Sequence, residues 1–220
     1  MLRFPLEKAH MNNTIEITYT DGAKTIIEQE ETSINIAHLP NFKKIESISF
    51  GEGFEYIYAY DQDSTEVEEL ADLENLKNVT LPNSLKTIGF GCFSFSNIET
   101  LNIPNNVVEI QKFAFFMSKI KKVNFPPHLN EIGEYAFAYC ENIKSIHIPY
   151  STKNVGKHAF RGCKSLESAR LSKNMTEVEI GTFEGCTKLE NVIIPSSIVS
   201  VGSSAFLGTP FAENIARQKD

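Results

Sequence analysis

Six copies of one 22- to 23-residue pattern run from Leu76 to Phe206, opening at Leu76, Ile98, Ile120, Ile143, Leu166 and Leu189. Self-similarity at this period means a solenoid in which each copy is one coil. A coil cannot bury its apolar face until another stacks on it. The repeat outranks every local motif in the chain. It sets the architecture and the general mode of action without naming a ligand.

The copy from Ile120 to Asn142 shows how one coil is built. Ile120, Val123 and Phe125 make an opening strand, with 123 and 125 at the two-residue spacing of one strand face. Pro126 ends ladder donation and turns the chain. Leu129 and Ile132 start a second extended piece, and Gly133 gives a bend. Tyr135-Ala136-Phe137 then brings a large aromatic inward, and Cys140 closes the coil. Stacked coils rise by about 4.8 Å, the strand-to-strand distance. Phe93, Phe115, Phe137, Phe160, Phe183 and Phe206 are therefore expected to form one internal column.

The ends of such a stack need caps, since an end coil exposes an apolar face and an unpaired edge. Residues 1–13 lack periodicity and read as a loose tail. Ile15, Ile17 and Tyr19 alternate with polar residues, Asp21-Gly22 follows, and a second β-rich run passes through Ile26-Ile27. Asp-Gly between two such runs predicts a hairpin. Thr32 or Ser33 is placed to cap a brief helix over Ile34 to His38, stopped by Pro40. A degenerate copy begins at Ile45, with Ile48, Phe50, Phe54 and Ile57 matching Leu76, Val79, Leu81, Leu85 and Ile88 of the first full copy in spacing. Its second half diverges, and Ser64 is placed to cap a helix with Val67, Leu70 and Leu73 on one side. At the rear, residues 211–218 suit a short helix with Pro210 near its start, and Phe211 stands where a seventh strand would begin. The expected organisation is a tail and hairpin cap over 1–44, a degenerate first repeat with a helix over 45–75, six repeats over 76–210, and a C-terminal cap over 211–220.

The totals exclude several classes. No apolar run approaches the ~20 residues of a spanning helix. The start, MLRFPLEKAHMNN, lacks the apolar core of ~7–15 residues of a secretory signal, so the default compartment is the cytoplasm. The net charge of −7 is uneven: residues 1–75 hold 5 basic and 16 acidic side chains, and the rest 16 basic and 12 acidic. The acidic front is either a solvated, solubilising cap or a surface that chooses a different partner from the basic coils.

The pattern [LI]xx[IV]x[IL]P…[VL]xx[IV]Gxx[AC]Fxx[CS] resembles the BspA-like leucine-rich repeat, in full over roughly 76–210 and in part over 45–75. The fold expected is mainly β: a leucine-rich repeat solenoid of 22- to 23-residue coils with an N-terminal hairpin/helix cap and a short C-terminal helix. The resemblance implies adhesion or host-protein binding, since the family occurs in bacterial surface proteins and parasitic protists. The fifth copy departs from the pattern, with Ala169 for a larger apolar residue, Ser172 for Pro and Glu179 for Gly, so a looser or kinked coil is expected there.

Residues that invite chemistry fall into the repeat. Cys140, Cys163 and Cys186 are one repeat apart, at a place held by Ser96, Ser118 and Thr209 in other copies. The site wants a small residue with one weak polar atom, and no histidine shares it to complete a zinc set. Cys92 takes the alanine place beside the Phe column. His10, His38, His128, His147 and His158 make no close pair at metal or catalytic spacing. His128 is expected on a turn and His158 on the surface. Gly89, Gly133, Gly156 and Gly202 read as bend residues. The sequons at Asn12, Asn78 and Asn174 are of the kind that arise by chance in an Asn-rich chain. No catalytic residue, cofactor or metal is expected.

The variable positions are the outward ones of the opening strands. Stacked in order, they give a polar face with a basic centre, Lys121, Lys122, Lys144, His147 and Arg170, with Asn124 among the expected contact residues and Ile193 apolar near its end. The expected function is non-enzymatic binding of a protein, with the basic centre favouring an acidic patch. The alternative is a self-assembling structural element in which the acidic cap meets the basic coils. Nucleic acid fits poorly, since no aromatics interleave with the basic residues and the chain is acidic overall.

Overall fold

The computed structural model describes residues 13–59 and 72–217. The helix expected after Ser64, with Val67 and Leu70, lies outside the described residues, as does Asn12. Leu73, at the end of that stretch, is buried.

The fold is a mainly β solenoid whose opening strands stack in parallel. Ile45–Phe50 (β4) pairs with Asn78–Thr80 (β6), placing Ile48 beside Val79. Further back, Ser145–His147 (β10), Ser168–Arg170 (β12) and Asn191–Ile193 (β14) form a second group in register, and a single parallel bridge joins Thr100 to Lys122 between the two groups. The degenerate copy is a true coil: Ile45, Ile48, Phe50, Phe54 and Ile57 are all buried in the common core.

Two strands close the front. Asn13–Tyr19 (β1) hairpins with Lys24–Gln29 (β2) across Asp21-Gly22 and lies antiparallel against β4. Gly22 takes φ +84°, and the Ala23 N–H donates to Asp21 Oδ1 at 2.9 Å, which is the chemistry that selects Asp-Gly here. Ser33–Asn35 (β3) adds a parallel strand to Tyr56–Tyr58 (β5), with Ile34 beside Ile57. The expected helix over Ile34 to His38 is therefore strand over Ile34 and Asn35. Only Ile36–His38 winds into a 3₁₀ turn, and its N-cap is Asn35, whose Oδ1 accepts from the Ala37 N–H at 3.0 Å, not Thr32 or Ser33. The open edge of the second sheet outcompetes a one-turn helix for those backbone groups.

The interior column forms as the spacing predicts. Ring centroids step 5.5, 4.9, 5.4, 5.6 and 5.4 Å from Phe93 through Phe115, Phe137, Phe160 and Phe183 to Phe206. From Phe115 onward adjacent rings lie within 10° of parallel. Five of the six coils close on a side-chain donor to a phenylalanine carbonyl, and in the second the Ser118 hydroxyl meets Cys140 Sγ at 3.3 Å. Cys140, Cys163 and Cys186 donate from Sγ to Phe115, Phe137 and Phe160 at 2.9, 3.2 and 3.1 Å. Ser96 and Thr209 donate to Phe93 and Phe206 at 2.8 and 2.7 Å. All four cysteines are free and buried.

The second sheet runs β3, β5, Thr87–Ile88 (β7), Glu109–Ile110 (β8), Glu131–Ile132 (β9) and Asn154–Val155 (β11), and stops. Glu177–Val178 (β13) pairs only with Ser200–Val201 (β15). The break falls at the fifth copy. Gly133, Gly156 and Gly202 N–H groups donate to Ile110, Ile132 and Val178 carbonyls of the coil in front, at 2.7 to 2.8 Å. No such bond joins Glu179 to Val155 among the described residues. The coil is looser there but not kinked, because Phe160 and Phe183 remain stacked within 8°.

These glycines are close-approach residues more than bends, because their φ angles are not left-handed. A Cβ on Gly133 would lie 2.5 Å from the Lys112 nitrogen, and one on Gly156 2.6 Å from the Glu134 nitrogen. Glu179 brings a Cβ to that place. Gln111 also occupies it in the second copy, but there the side chain is tied on both sides, accepting from Tyr56 Oη at 2.9 Å and donating to Glu109 at 3.2 Å.

At the rear, Pro210–Arg217 (α1) starts where the seventh strand would begin. The Phe211 N–H donates to the Leu189 carbonyl at 2.9 Å, and its ring lies 5.0 Å from Phe206. Thr209 caps α1 by accepting from the Ala212 N–H at 3.2 Å.

Candidate interaction face

The outward positions of the opening strands line up in ladders because parallel strands stack without a register shift. One ladder carries Ser145, Ser168 and Asn191, and beside it run His147, Arg170 and Ile193; Lys122, bridged to Thr100, and Asn124 hold the equivalent places in the copy in front. All the expected site residues, Lys121, Lys122, Asn124, Lys144, His147, Arg170 and Ile193, are exposed. Register joins His147, Arg170 and Ile193 directly across β10, β12 and β14.

The charges on this face are not equivalent. Lys77 pairs with Glu46 at 2.9 Å, and Lys121 pairs with Glu99 at 2.7 Å. Lys121 is thus neutralised along its own ladder. Among the described residues Lys122, Lys144 and Arg170 make no ion pair. The cationic centre is therefore these three side chains with the His147 imidazole beside them. They are solvated, so their field acts on encounter and orientation more than on bound-state energy. Two shallow depressions of about 460 and 280 Å³ lie on the face. Lys77, Glu99 and Lys119 border the first; Asn102, Lys122 and Asn124 border the second.

Other candidate chemistry resolves into structure. Among the described residues no group of His, Cys, Asp and Glu is arranged to hold a metal ion. Burial pushes the Cys140 thiol up to about 12 and also raises Cys92 and Cys163, which suppresses the thiolate that a nucleophile or metal ligand needs. His38, His128 and His147 are not gathered into a site. His158, expected on the surface, is mostly covered, with its side chain 18% exposed. Its backbone is left-handed (φ 56°), which lays the ring along the stack, 4.8 Å from Tyr135 and over Gly181. Its Nδ1 lies 3.6 Å from Glu184, which also binds Arg161 at 3.1 Å.

Sequence reasoning missed a second aromatic cluster outside the column, built on Phe90, Phe113 and Phe116 with Phe95, Tyr135 and Tyr139 against them. Four of these, Phe95, Phe113, Tyr135 and Tyr139, have positive φ. The signal was present. Aligned copies place Gly162, Gly185 and Gly208 opposite Phe95, Met117 and Tyr139, so glycine marks a left-handed position that the early copies fill with large side chains, two of them aromatic. Also missed was a groove of about 350 Å³ at the broken second sheet, bordered by Glu131, Lys153, Lys157, Glu177 and Glu179.

The profile of the BspA type leucine rich repeat region (6 copies) matches residues 43–167 and 109–219. The chain belongs to this family. Among solved structures, this leucine-rich repeat protein is similar to the leucine rich repeat protein of T. pallidum, at 25% identity and TM-score 0.62, over 79% of this chain and 88% of that one. It also resembles a leucine-rich repeat protein from Eubacterium ventriosum, at 20% identity and TM-score 0.57, over 89% of this chain and 62% of that one. A leucine rich cell surface protein from Faecalibacterium prausnitzii matches at 26% identity and TM-score 0.41, over 61% of this chain and 45% of that one. No curated protein matches. Among the described residues no helix is long and apolar enough to cross a membrane.

Proposed function

We propose that this repeat protein is a non-enzymatic binding module that recognises an acidic patch on another protein with its opening-strand face, as an adhesion or interaction element. The observation that carries the reading is the cationic centre formed by Lys122, Lys144 and Arg170, which among the described residues have no ion-pair partner while neighbouring Lys77 and Lys121 do. Asn124 and His147 supply hydrogen bonding beside it, and Ile193 supplies an apolar contact at its end. A rigid stack suits this use, since outward residues vary without disturbing the core.

The test is capture of proteins from the native source on the immobilised chain, with the charge-reversed Lys122→Glu/Lys144→Glu double variant alongside. The reading expects the captured protein to fall away, the salt dependence of its binding to weaken, and the melting temperature to stay unchanged. Equal capture by both forms would place the binding site elsewhere.

A further inference from the structure

The rear end of the solenoid exposes apolar positions. Core positions that are closed in the coil in front are laid bare in the last. Val201 is 54% exposed where Val178 is 1%, and Ile194 is 38% exposed where Leu171 is 4%. Val199 and Leu207 add exposed apolar surface on the same coil. Among the described residues β14 and β15 are each the last of their sheet, with no strand paired behind them. Helix α1 meets this edge at its start, through the Phe211 bond to Leu189. Edges of this kind are ordinarily blunted by charge. Here residues 191–210, NVIIPSSIVSVGSSAFLGTP, contain no charged side chain at all.

We infer that this end is a homodimer interface, in which two copies meet rear to rear about a two-fold axis with β14 and β15 antiparallel to their symmetry mates. The occupant that the chain itself places on this face, in every earlier coil, is another apolar coil, and a second copy supplies one. A two-fold contact juxtaposes a surface with itself, and an uncharged apolar end meets its copy without repulsion. The front offers a worse partner. It is closed by the hairpin, and its outer strand β2 carries exposed Lys24 and Glu28. The front also shows that an opening strand accepts an antiparallel neighbour, since β4 does so with β1. This interface adjoins the strand face at β14, where Ile193 stands, but Val199 and Val201 lie outside the residues of that face, so variants there test it independently.

Sedimentation equilibrium of the full chain tests the inference, with Val201→Glu and Val199→Glu as variants. Val199 is 85% exposed, so its replacement leaves the packed core intact even if Val201→Glu disturbs the last coil. Wild type is expected to show a reversible monomer–dimer equilibrium, and Val199→Glu to weaken it at least about tenfold with an unchanged melting curve. A third variant, Ser200→Cys, adds an exposed thiol to a protein whose own four are buried. On mild oxidation it should link to itself across the two-fold. A wild type that stays monomeric throughout, a dimer indifferent to Val199→Glu, or a dimer that Ser200→Cys does not link would each overturn the proposal.

Discussion

The Cys140 thiol donates to the carbonyl of Phe115, one coil in front, at 2.9 Å. This contact explains why a Cys, Ser or Thr recurs at the end of each copy. The Phe115 carbonyl also accepts from the Ser118 N–H at 3.0 Å, so removing the thiol takes away one of its two donors, and such a hydrogen bond contributes about 0.5–1.5 kcal/mol. Cys140→Val should therefore destabilise by about that amount in urea unfolding, and Cys140→Ser by less, since a hydroxyl keeps a donor at that place, as Ser96 and Thr209 do toward the phenylalanine carbonyls of their own coils. Equal losses for both variants would remove the hydrogen bond from the account.

The same burial gives a pH signature. Folding holds the Cys140 proton up to about 12, against an ordinary value of 9.0. Because the folded value is raised, this contribution to stability is complete below about 9 and is lost as pH rises toward 12, where the unfolded chain ionises first. Wild type should lose melting temperature between these limits more steeply than Cys140→Ser. In the same way, a thiol reagent at neutral pH should modify none of the four cysteines until the chain is unfolded.

The phenylalanine column makes the cost of truncation depend on position. Phe137 is fully buried and stacks on Phe115 and Phe160, at 4.9 and 5.4 Å. Phe137→Ala should cost about 3–5 kcal/mol. Phe206 is only partly buried at the rear coil, so Phe206→Ala should cost clearly less. Urea midpoints compare them directly at protein concentrations low enough to keep the chain monomeric, and a Phe206 loss as large as that of Phe137 under those conditions would contradict the open rear coil.

The fifth copy should be visible in amide hydrogen exchange. The Glu179 N–H lacks the ladder acceptor that its counterparts at Gly133, Gly156 and Gly202 have. It should exchange faster than those three, and Glu179→Gly should slow it by letting the strand close on Val155. Protection at Glu179 matching that at Gly156 would contradict an open second sheet.

Much of this was legible in the residues. The period fixed the coil, and the apolar places within it named the column, the degenerate first coil and the thiol ladder. A stacked coil repeats one environment, so similarity between copies is a direct report of burial. The aromatic cluster around Phe113 was present in the sequence too, but only as a contrast with glycines in later copies. The 3₁₀ cap at Asn35 was not legible, because its competitor was a distant strand edge.

The sequence by itself determined the solenoid, its closing donors and which side chains face outward, because these follow from period and polarity alone. Tertiary structure decided which outward charges are spent and which core positions stay open. Lys121 and Lys122 are neighbours of the same type, yet only Lys121 meets Glu99. Val178 and Val201 hold the same place in the pattern, yet only Val178 has a coil stacked behind it. Both distinctions depend on what lies one coil away, and that is a property of the stack.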